Sequence, residues 1–173
     1  GSASLEPFWI HWYAFYLRHK QGKNNMKLIK AEMCTASSVA MLLNQSYYTI
    51  EKLFSYEEEY PFPPPYRSRK RVPCMEEICR TVWKEFRDGL VPFPKELCCY
   101  PGIDADPYPV WGGDDNFKKM LSFGPGLVEG LCGNVGHLCA WDGEKIYDSR
   151  GHIYLYDDAH LFNFEPTRFW LKV

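Results

Sequence analysis

The sequence predicts an α+β fold in which N-terminal helices pack on a C-terminal antiparallel sheet. Three observations lead to this prediction. Apolar residues recur at helical spacing in the first two thirds of the chain, they alternate at strand spacing afterwards, and Gly124-Pro125-Gly126 marks the change. Helices followed by strands are the layout of an α+β domain. At 173 residues the chain can bury a core of its own, so residues 1–173 are expected to form a single domain.

Three helices are expected before residue 90. The first runs from Thr35 to Asn44, where apolar residues fall at positions i, i+3, i+4 and i+7. These residues are Ala36, Val39, Ala40 and Leu43. Thr49 is expected to cap a second, short helix. Pro73 is expected to open a third, because its missing N–H costs little in a first turn, and Gly89 is expected to end it.

Two segments between these helices and the sheet lack periodicity. Residues 55–73 hold an acidic triplet, a proline run and a basic cluster, which predicts an extended surface loop. A polyproline docking motif and a basic contact patch are the alternatives for this loop. Residues 90–111 are rich in proline and glycine and are expected to be irregular. Asp114 or Asp115 can then cap a short helix with Phe117 and Leu121 facing inward.

The remainder of the chain is expected to form five strands. They are Leu127–Cys132, His137–Trp141, Glu144–Asp148, His152–Tyr156 and Arg168–Val173. Asp142-Gly143 predicts a two-residue hairpin turn between the second and third strands, because a type I′ turn needs positive φ at both central residues. Counting outward from that turn places Cys139 opposite Ile146 and His137 opposite Asp148. Opposed residues share a face of the sheet, so we expect the His137 imidazole to contact the Asp148 carboxylate.

A candidate nucleophile lies at the start of the first helix. Cys34 directly precedes the apolar stripe, so its thiol is expected to sit at the positive end of the helix dipole. This position, with a histidine nearby, lowers a thiol pKa to about 3.5–7.5. We therefore expect Cys34 to attack a carbonyl, His137 to transfer protons and Asp148 to orient the imidazole. His152 is the alternative base, and Cys139 is a weaker alternative nucleophile because a mid-strand thiol has no helix dipole.

Composition excludes several other classes of function. A net charge of −2 gives no reason to expect nucleic acid as a partner, and no apolar run approaches the roughly 20 residues that span a bilayer. Seven cysteines cannot all pair within one chain, which favours a reduced, cytoplasmic setting. Zinc ligation by Cys74, Cys79, Cys98 and Cys99 is disfavoured because no Cys-x-x-Cys pair is present. The sequence thus predicts neither a metal nor an organic cofactor.

The N-terminal residues are treated separately from the domain. Residues 1–4 have the composition of an expression scar, and residues 5–25 are a candidate N-terminal extension. The extension is dense in aromatic residues between Phe8 and Leu17. The segment is too short, and too interrupted by His11 and Arg18, to span a membrane. Packing of this segment on the domain is favoured over a membrane-surface anchor.

At two blocks the chain resembles the papain-like cysteine peptidases, in particular the bacteriocin double-glycine leader peptidases and their phage and bacterial relatives. The first block, Glu32–Asn44, is similar to the cysteine helix of that family. The second, Leu121–Val128 followed by Gly136–Gly151, is similar to its strand, histidine, hairpin and aspartate. The resemblance implies a papain-like fold, a Cys34–His137–Asp148 triad, a protein or peptide substrate, and a bacterial or phage protein acting in the cytoplasm, including that of a host.

The chain also departs from this family. Its members carry a glutamine shortly before the cysteine, whose amide helps bind the oxyanion. No amide occupies the residues just before Cys34, and the nearest candidates are Gln21, Asn24 and Asn25. Loss of one oxyanion donor costs about 2.7–4 kcal/mol of transition-state stabilisation. Thr35 and Ser149 also replace the glycine and proline that are common in the family.

Two classes of function follow from these residues. The first is a cysteine-dependent amide hydrolase that acts through a thioester, either as a peptidase or isopeptidase or as a glutamine deamidase. The second is a papain-like scaffold with weak or no turnover that binds a host or partner protein. The missing glutamine supports the second class, and the conjunction of Cys34, His137 and Asp148 supports the first. We expect the first.

Overall fold

The computed structural model describes residues 25–54, 72–95 and 113–173, and within these ranges it confirms the α+β layout. The described residues form four α-helices and a six-stranded sheet. The helices are α1 (Cys34–Leu43), α2 (Tyr47–Phe54), α3 (Met75–Phe86) and α4 (Gly113–Leu121). The strands are β1 (Leu90–Pro94), β2 (Gly126–Cys132), β3 (Val135–Trp141), β4 (Ile146–Asp148), β5 (His152–Tyr154) and β6 (Glu165–Lys172). A 3₁₀ helix, Tyr156–Phe162, connects β5 to β6.

The sheet is antiparallel throughout, in the order β1-β6-β2-β3-β4-β5. Both faces are covered. Leu127, Leu138 and Ala140 pack with α1, α2 and α3 on one face. Val128 and Cys139 pack with α4 and the 3₁₀ helix on the other. Adjacent residues of β2 and β3 therefore belong to different halves of the core, as the two-residue period of a strand requires.

Several helix boundaries differ from the expected ones. The first helix begins at Cys34, and the third begins at Met75, so Pro73 lies before its cap residue Cys74. The fourth begins at Gly113, so neither Asp114 nor Asp115 precedes it as a cap.

The second helix begins at Tyr47, and Ser46 is its cap, since the Ser46 hydroxyl accepts the N–H of Thr49 at 3.1 Å. Thr49 itself lies inside the first turn. The third helix ends at Arg87, whose φ of 60° is left-handed, and not at Gly89. Gly89 is held by Val173 through reciprocal backbone hydrogen bonds of 3.0 Å, which extend the β1–β6 pairing.

One strand was not expected. Leu90–Pro94 forms β1 at the edge of the sheet, although prolines at positions 92 and 94 suggested irregular backbone. An edge strand tolerates proline because one side of its backbone needs no ladder hydrogen bonds. The proline-rich and basic loop, the aromatic N-terminal segment, Gln21 and Asn24 lie outside the described residues. Among the described helices, every one is too short or too polar to traverse a lipid bilayer.

A candidate Cys-His-Asp site

The site begins at a hairpin whose register differs from the expected one by two residues. Trp141 pairs with Ile146 and Ala140 with Tyr147, so the loop has four residues. Asp142 explains the longer loop, because its carboxylate accepts the N–H groups of Glu144 at 2.8 Å and Lys145 at 2.7 Å. The predicted two-residue turn is therefore wrong.

The predicted contact between His137 and Asp148 nevertheless forms. A shift of two residues keeps every side chain on its face, so the residue opposite Asp148 becomes Cys139 and His137 lies on the diagonal. Diagonal neighbours lie about 7–8 Å apart, which an imidazole and a carboxylate can bridge. His137 Nε2 and Asp148 Oδ1 are 2.9 Å apart. The imidazole is thus positioned by a carboxylate on the neighbouring strand.

Asp148 is the most fully engaged side chain of the site. It is 0% exposed, and its two oxygens accept hydrogen bonds from His137, from the Arg150 backbone and guanidinium, and from the Tyr154 hydroxyl. Burial raises the pKa of this carboxyl, but these hydrogen bonds outweigh burial and hold the pKa well below its usual range. Asp148 is therefore ionised and fixed in orientation.

Phe164 holds the other side of the imidazole. Its ring meets the His137 ring edge-on, with centroids 5.7 Å apart. Gly130 pairs with His137 on β2, and a Cβ there would lie 2.6 Å from the Phe164 ring. The glycine at position 130 therefore leaves the space that Phe164 occupies. Burial lowers the pKa of His137, whereas hydrogen bonding to Asp148 and to two thiols raises it well above its ordinary value, which favours the imidazolium form.

Cys34 is the first residue of α1, as the apolar pattern predicted. Strands β3 and β4 pair at only two positions, Ala140–Tyr147 and Trp141–Ile146, so Leu138 lies beyond the residues that pair with β4. There the Leu138 backbone faces α1: its carbonyl accepts the Ser38 hydroxyl at 2.8 Å, and its N–H points to the Cys34 sulfur. Ser38 lies one turn beyond Cys34 on the same side of the helix, so the two side chains contact the backbone of the same β3 residue.

The Cys34 thiol lies beside His137 and is half-buried. Burial raises the pKa of this thiol, but hydrogen bonding from His137 and from the Leu138 and Thr35 N–H groups lowers it below its ordinary value. The helix start contributes as well, because Met33 offers no side-chain cap to the first-turn N–H groups. The structure therefore brings together all three expected residues, and the thiol is poised toward the thiolate.

The other residues that the sequence suggested as an oxyanion donor, a base or a nucleophile lie in different environments. Asn25 is exposed, so its role as an oxyanion donor stays a prediction. His152 is exposed and packs on the Phe162 ring with centroids 5.1 Å apart, while His137 is the histidine beside Cys34. Cys139 shares the His137 face, as expected, but it is 0% exposed and burial raises its pKa to about 11. An inaccessible thiol of high pKa is a poor nucleophile.

Three supporting residues were missed by sequence reasoning. Arg150, Tyr154 and Phe164 hold the Asp148 carboxylate or the His137 ring. Tyr154 could have been found, because it lies on a predicted strand beside the hairpin. Arg150 follows Asp148 by two residues, but only the turn geometry returns its guanidinium to the carboxylate. Phe164 comes from beyond the 3₁₀ helix and carried no sequence signal.

Stability should depend on pH through Asp148. Its pKa is lower in the folded protein than the roughly 3.9 of an unfolded chain, so the unfolded state binds more protons as the solution is acidified. We expect the contribution of Asp148 to be complete above about pH 5 and to fall by roughly 2 kcal/mol as the pH drops toward 2. Urea unfolding of the wild type and of Asp148→Asn across this range measures it. If the free energy of unfolding changed equally with pH in the wild type and in Asp148→Asn, the pH dependence could not be assigned to Asp148.

Comparisons with known proteins give no relative: no family model, no curated protein and no solved structure matches this chain. A function for the chain therefore has to be inferred from the geometry of Cys34, His137 and Asp148.

Proposed function

We propose that this protein is a papain-like, cysteine-dependent amide hydrolase that acts on a peptide or isopeptide bond. One observation supports this most strongly. A half-buried thiol of lowered pKa begins a helix without a side-chain cap, beside an imidazole that a fully buried carboxylate holds at 2.9 Å. Nucleophile, base and orienting group are the three parts that covalent acyl transfer requires.

The reaction follows from the position of each group. The Cys34 thiolate attacks the carbonyl carbon, and the oxygen becomes an oxyanion near the first-turn N–H groups of α1. The His137 imidazolium gives its proton to the departing amine as the C–N bond breaks, leaving a thioester on Cys34. His137 then removes a proton from water, which attacks the thioester, releases the acid and restores the Cys34 thiolate beside the His137 imidazolium. Asp148 holds the ring in one orientation during both steps.

The chemistry of the thiol gives the first test. We expect iodoacetamide at pH 6 to label Cys34 about tenfold faster than Cys74, although Cys74 is the more exposed thiol. The thiolate fraction of a low-pKa cysteine exceeds that of an ordinary one by more than its lower nucleophilicity takes away. Peptide mapping by mass spectrometry gives the rate at each site. His137→Ala should abolish the difference, and equal labelling of Cys34 and Cys74 in the wild type would favour a scaffold without turnover.

Substrate class needs a second measurement, since peptidases, isopeptidases and glutamine deamidases share the same thioester chemistry. A mixed peptide library that includes ubiquitin-like isopeptide conjugates is incubated with the protein and with Cys34→Ala as the matched control. New N-termini within the peptides indicate a peptidase, freed lysine side chains an isopeptidase, and glutamine converted to glutamate a deamidase. Identical product patterns for the wild type and Cys34→Ala would contradict the proposed hydrolase.

A further inference from the structure

Arg150 shares the Asp148 carboxylate with His137, and the proposed reaction steps give it no part. Its Nε lies 3.1 Å from Asp148 Oδ1 and 3.0 Å from Oδ2, and its Nη2 lies 2.6 Å from Oδ2. His137 Nε2 bonds to the same Oδ1 at 2.9 Å. Because Arg150 Nε and His137 Nε2 donate to one oxygen, the two nitrogens lie within roughly 6 Å of each other. A permanent cation therefore lies close to the ring that carries the transferable proton.

Asp148 and Phe162 hold the guanidinium in one position. Its Nη2 also donates to the Phe162 carbonyl at 2.7 Å, at the end of the 3₁₀ helix. The Phe162 ring stacks on Tyr154, with centroids 4.2 Å apart, and the Tyr154 hydroxyl donates to Asp148 Oδ2 at 2.8 Å. The ion pair is thus anchored on a second element of the fold, and its geometry does not depend on His137.

The charges around His137 determine how firmly the ring holds a proton. Five charged or titratable side chains of the described residues face the ring or its carboxylate, from α1, β3, β4, the turn after β4 and β5. They are Cys34, Cys139, Asp148, Arg150 and Tyr154. Among these five, only Arg150 is always a cation, and a nearby cation disfavours the protonated ring. Arg150 therefore opposes the effect of the Asp148 anion on His137.

We propose that Arg150 is a positioning residue that fixes Asp148 and weakens its hold on the His137 imidazolium, so that the ring can protonate a departing amine. The ionised Asp148 is an acceptor, so Nε2 keeps its proton toward the carboxylate and the transferable proton is on Nδ1. When the C–N bond breaks, its electron pair takes the Nδ1 proton, the amine leaves and the thioester stays on Cys34. Without Arg150, the full carboxylate charge would make the imidazolium a weaker acid in this step. The role in catalysis rests on the proposed hydrolase function, whereas the effect on the ring does not.

Proton NMR of the whole chain at pH 6 tests the effect on the ring. The Nε2 proton of His137 gives a resonance that moves downfield as its hydrogen bond to Asp148 strengthens, and His137→Gln identifies this resonance by its absence. We expect Arg150→Gln to move it further downfield, since Asp148 keeps its hydrogen bonds from Tyr154 and from the backbone N–H of residue 150. If Arg150 only kept the carboxylate in place, its loss would weaken the bond and move the resonance upfield. An upfield or unmoved resonance would overturn the proposal.

The leaving group gives a test in catalysis. An amide must receive a proton as its amine departs, whereas a 4-nitrophenyl ester of the same acyl group releases a stable anion that needs none. In single turnovers we expect Arg150→Gln to acylate about tenfold more slowly with the amide, and to change the rate with the ester by less than about twofold. Arg150→Lys keeps a cation beside Asp148 and should retain most of the amide rate. Equal losses on both substrates would show a general structural defect and contradict the proposal.

A second arginine of the sheet provides the matched control. Arg168 is 42% exposed, compared with 35% for Arg150, and its guanidinium lies 3.7 Å from the Glu129 carboxylate. Arg168→Gln should change neither the His137 resonance nor the ratio of the amide and ester rates. Thermal unfolding verifies that each variant is folded.

The two measurements separate this inference from the proposed function. A downfield shift in Arg150→Gln, in a chain whose wild type hydrolyses neither substrate, would support the effect of Arg150 on the ring and contradict the hydrolase. Amide hydrolysis by the wild type, with a His137 resonance that Arg150→Gln leaves unmoved or shifts upfield, would contradict the role of Arg150 and leave the hydrolase intact.

Discussion

Cys34→Ala is expected to lower the rate of amide hydrolysis by more than about 10³-fold, because loss of the nucleophile leaves only binding and oxyanion stabilisation. His137→Ala should have an effect of the same order, and the double variant should be little worse than either single one, since the two residues act as one unit. Initial rates on a peptide selected from the library measure these losses.

The comparison needs folded variants and a neutral substitution. Cys34 is half-buried at a helix start, so its replacement by alanine should change the melting temperature little. Cys74→Ser is the control: Cys74 is exposed at the cap of α3, where serine is a favourable residue. If the Cys34→Ala protein kept its hydrolytic rate, another residue would have to be the nucleophile, and the proposed mechanism would be wrong.

Asp148→Ala is expected to produce the largest loss of stability of any change at the site, about 3–5 kcal/mol in the free energy of unfolding. The substitution leaves the Arg150 guanidinium and the Tyr154 hydroxyl facing a vacated, buried position. It also removes the anion that keeps His137 protonated. Because whole domains are stable by only about 5–15 kcal/mol, the variant should unfold at markedly lower urea concentration.

An exposed ion pair provides the matched control for this measurement. Glu76 and Arg80 are 2.9 Å apart on α3, with side chains 80% and 71% exposed. Glu76→Gln should cost less than about 1 kcal/mol, because solvent screens such pairs. Similar losses for Asp148→Ala and Glu76→Gln would show that the Asp148 network contributes little to folding.

Local pattern predicted most of the helices and strands, but several boundaries and one register needed tertiary information. The two-residue type I′ turn predicted from Asp142-Gly143 does not form, because the Asp142 side chain accepts two N–H groups and widens the loop. The edge strand β1 was missed because its partner, β6, lies at the other end of the chain. A local side-chain hydrogen bond decided the first, and pairing with a strand distant in sequence decided the second.

The candidate site was likewise predictable in part. Cys34 at a helix start and the shared face of His137, Cys139 and Asp148 were predictable, because helix position and strand parity are local properties that survive a two-residue shift. The approach of the Cys34 thiol to the His137 ring was not, because Cys34 and His137 are carried by different elements, α1 and β3.

The sequence by itself determined which residues could react: their chemical types, the secondary structure that carries each, and the face on which each strand residue lies. The tertiary structure alone decided that the Cys34 thiol meets the pair formed by His137 and Asp148. A hydrogen bond between Ser38 and Leu138, 100 residues apart, joins α1 to β3 beyond the residues that pair with β4, and this junction sets the thiol beside the imidazole. The physical reason is that periodicity and turn chemistry act over a few residues, whereas contacts across the core depend on how complete elements pack.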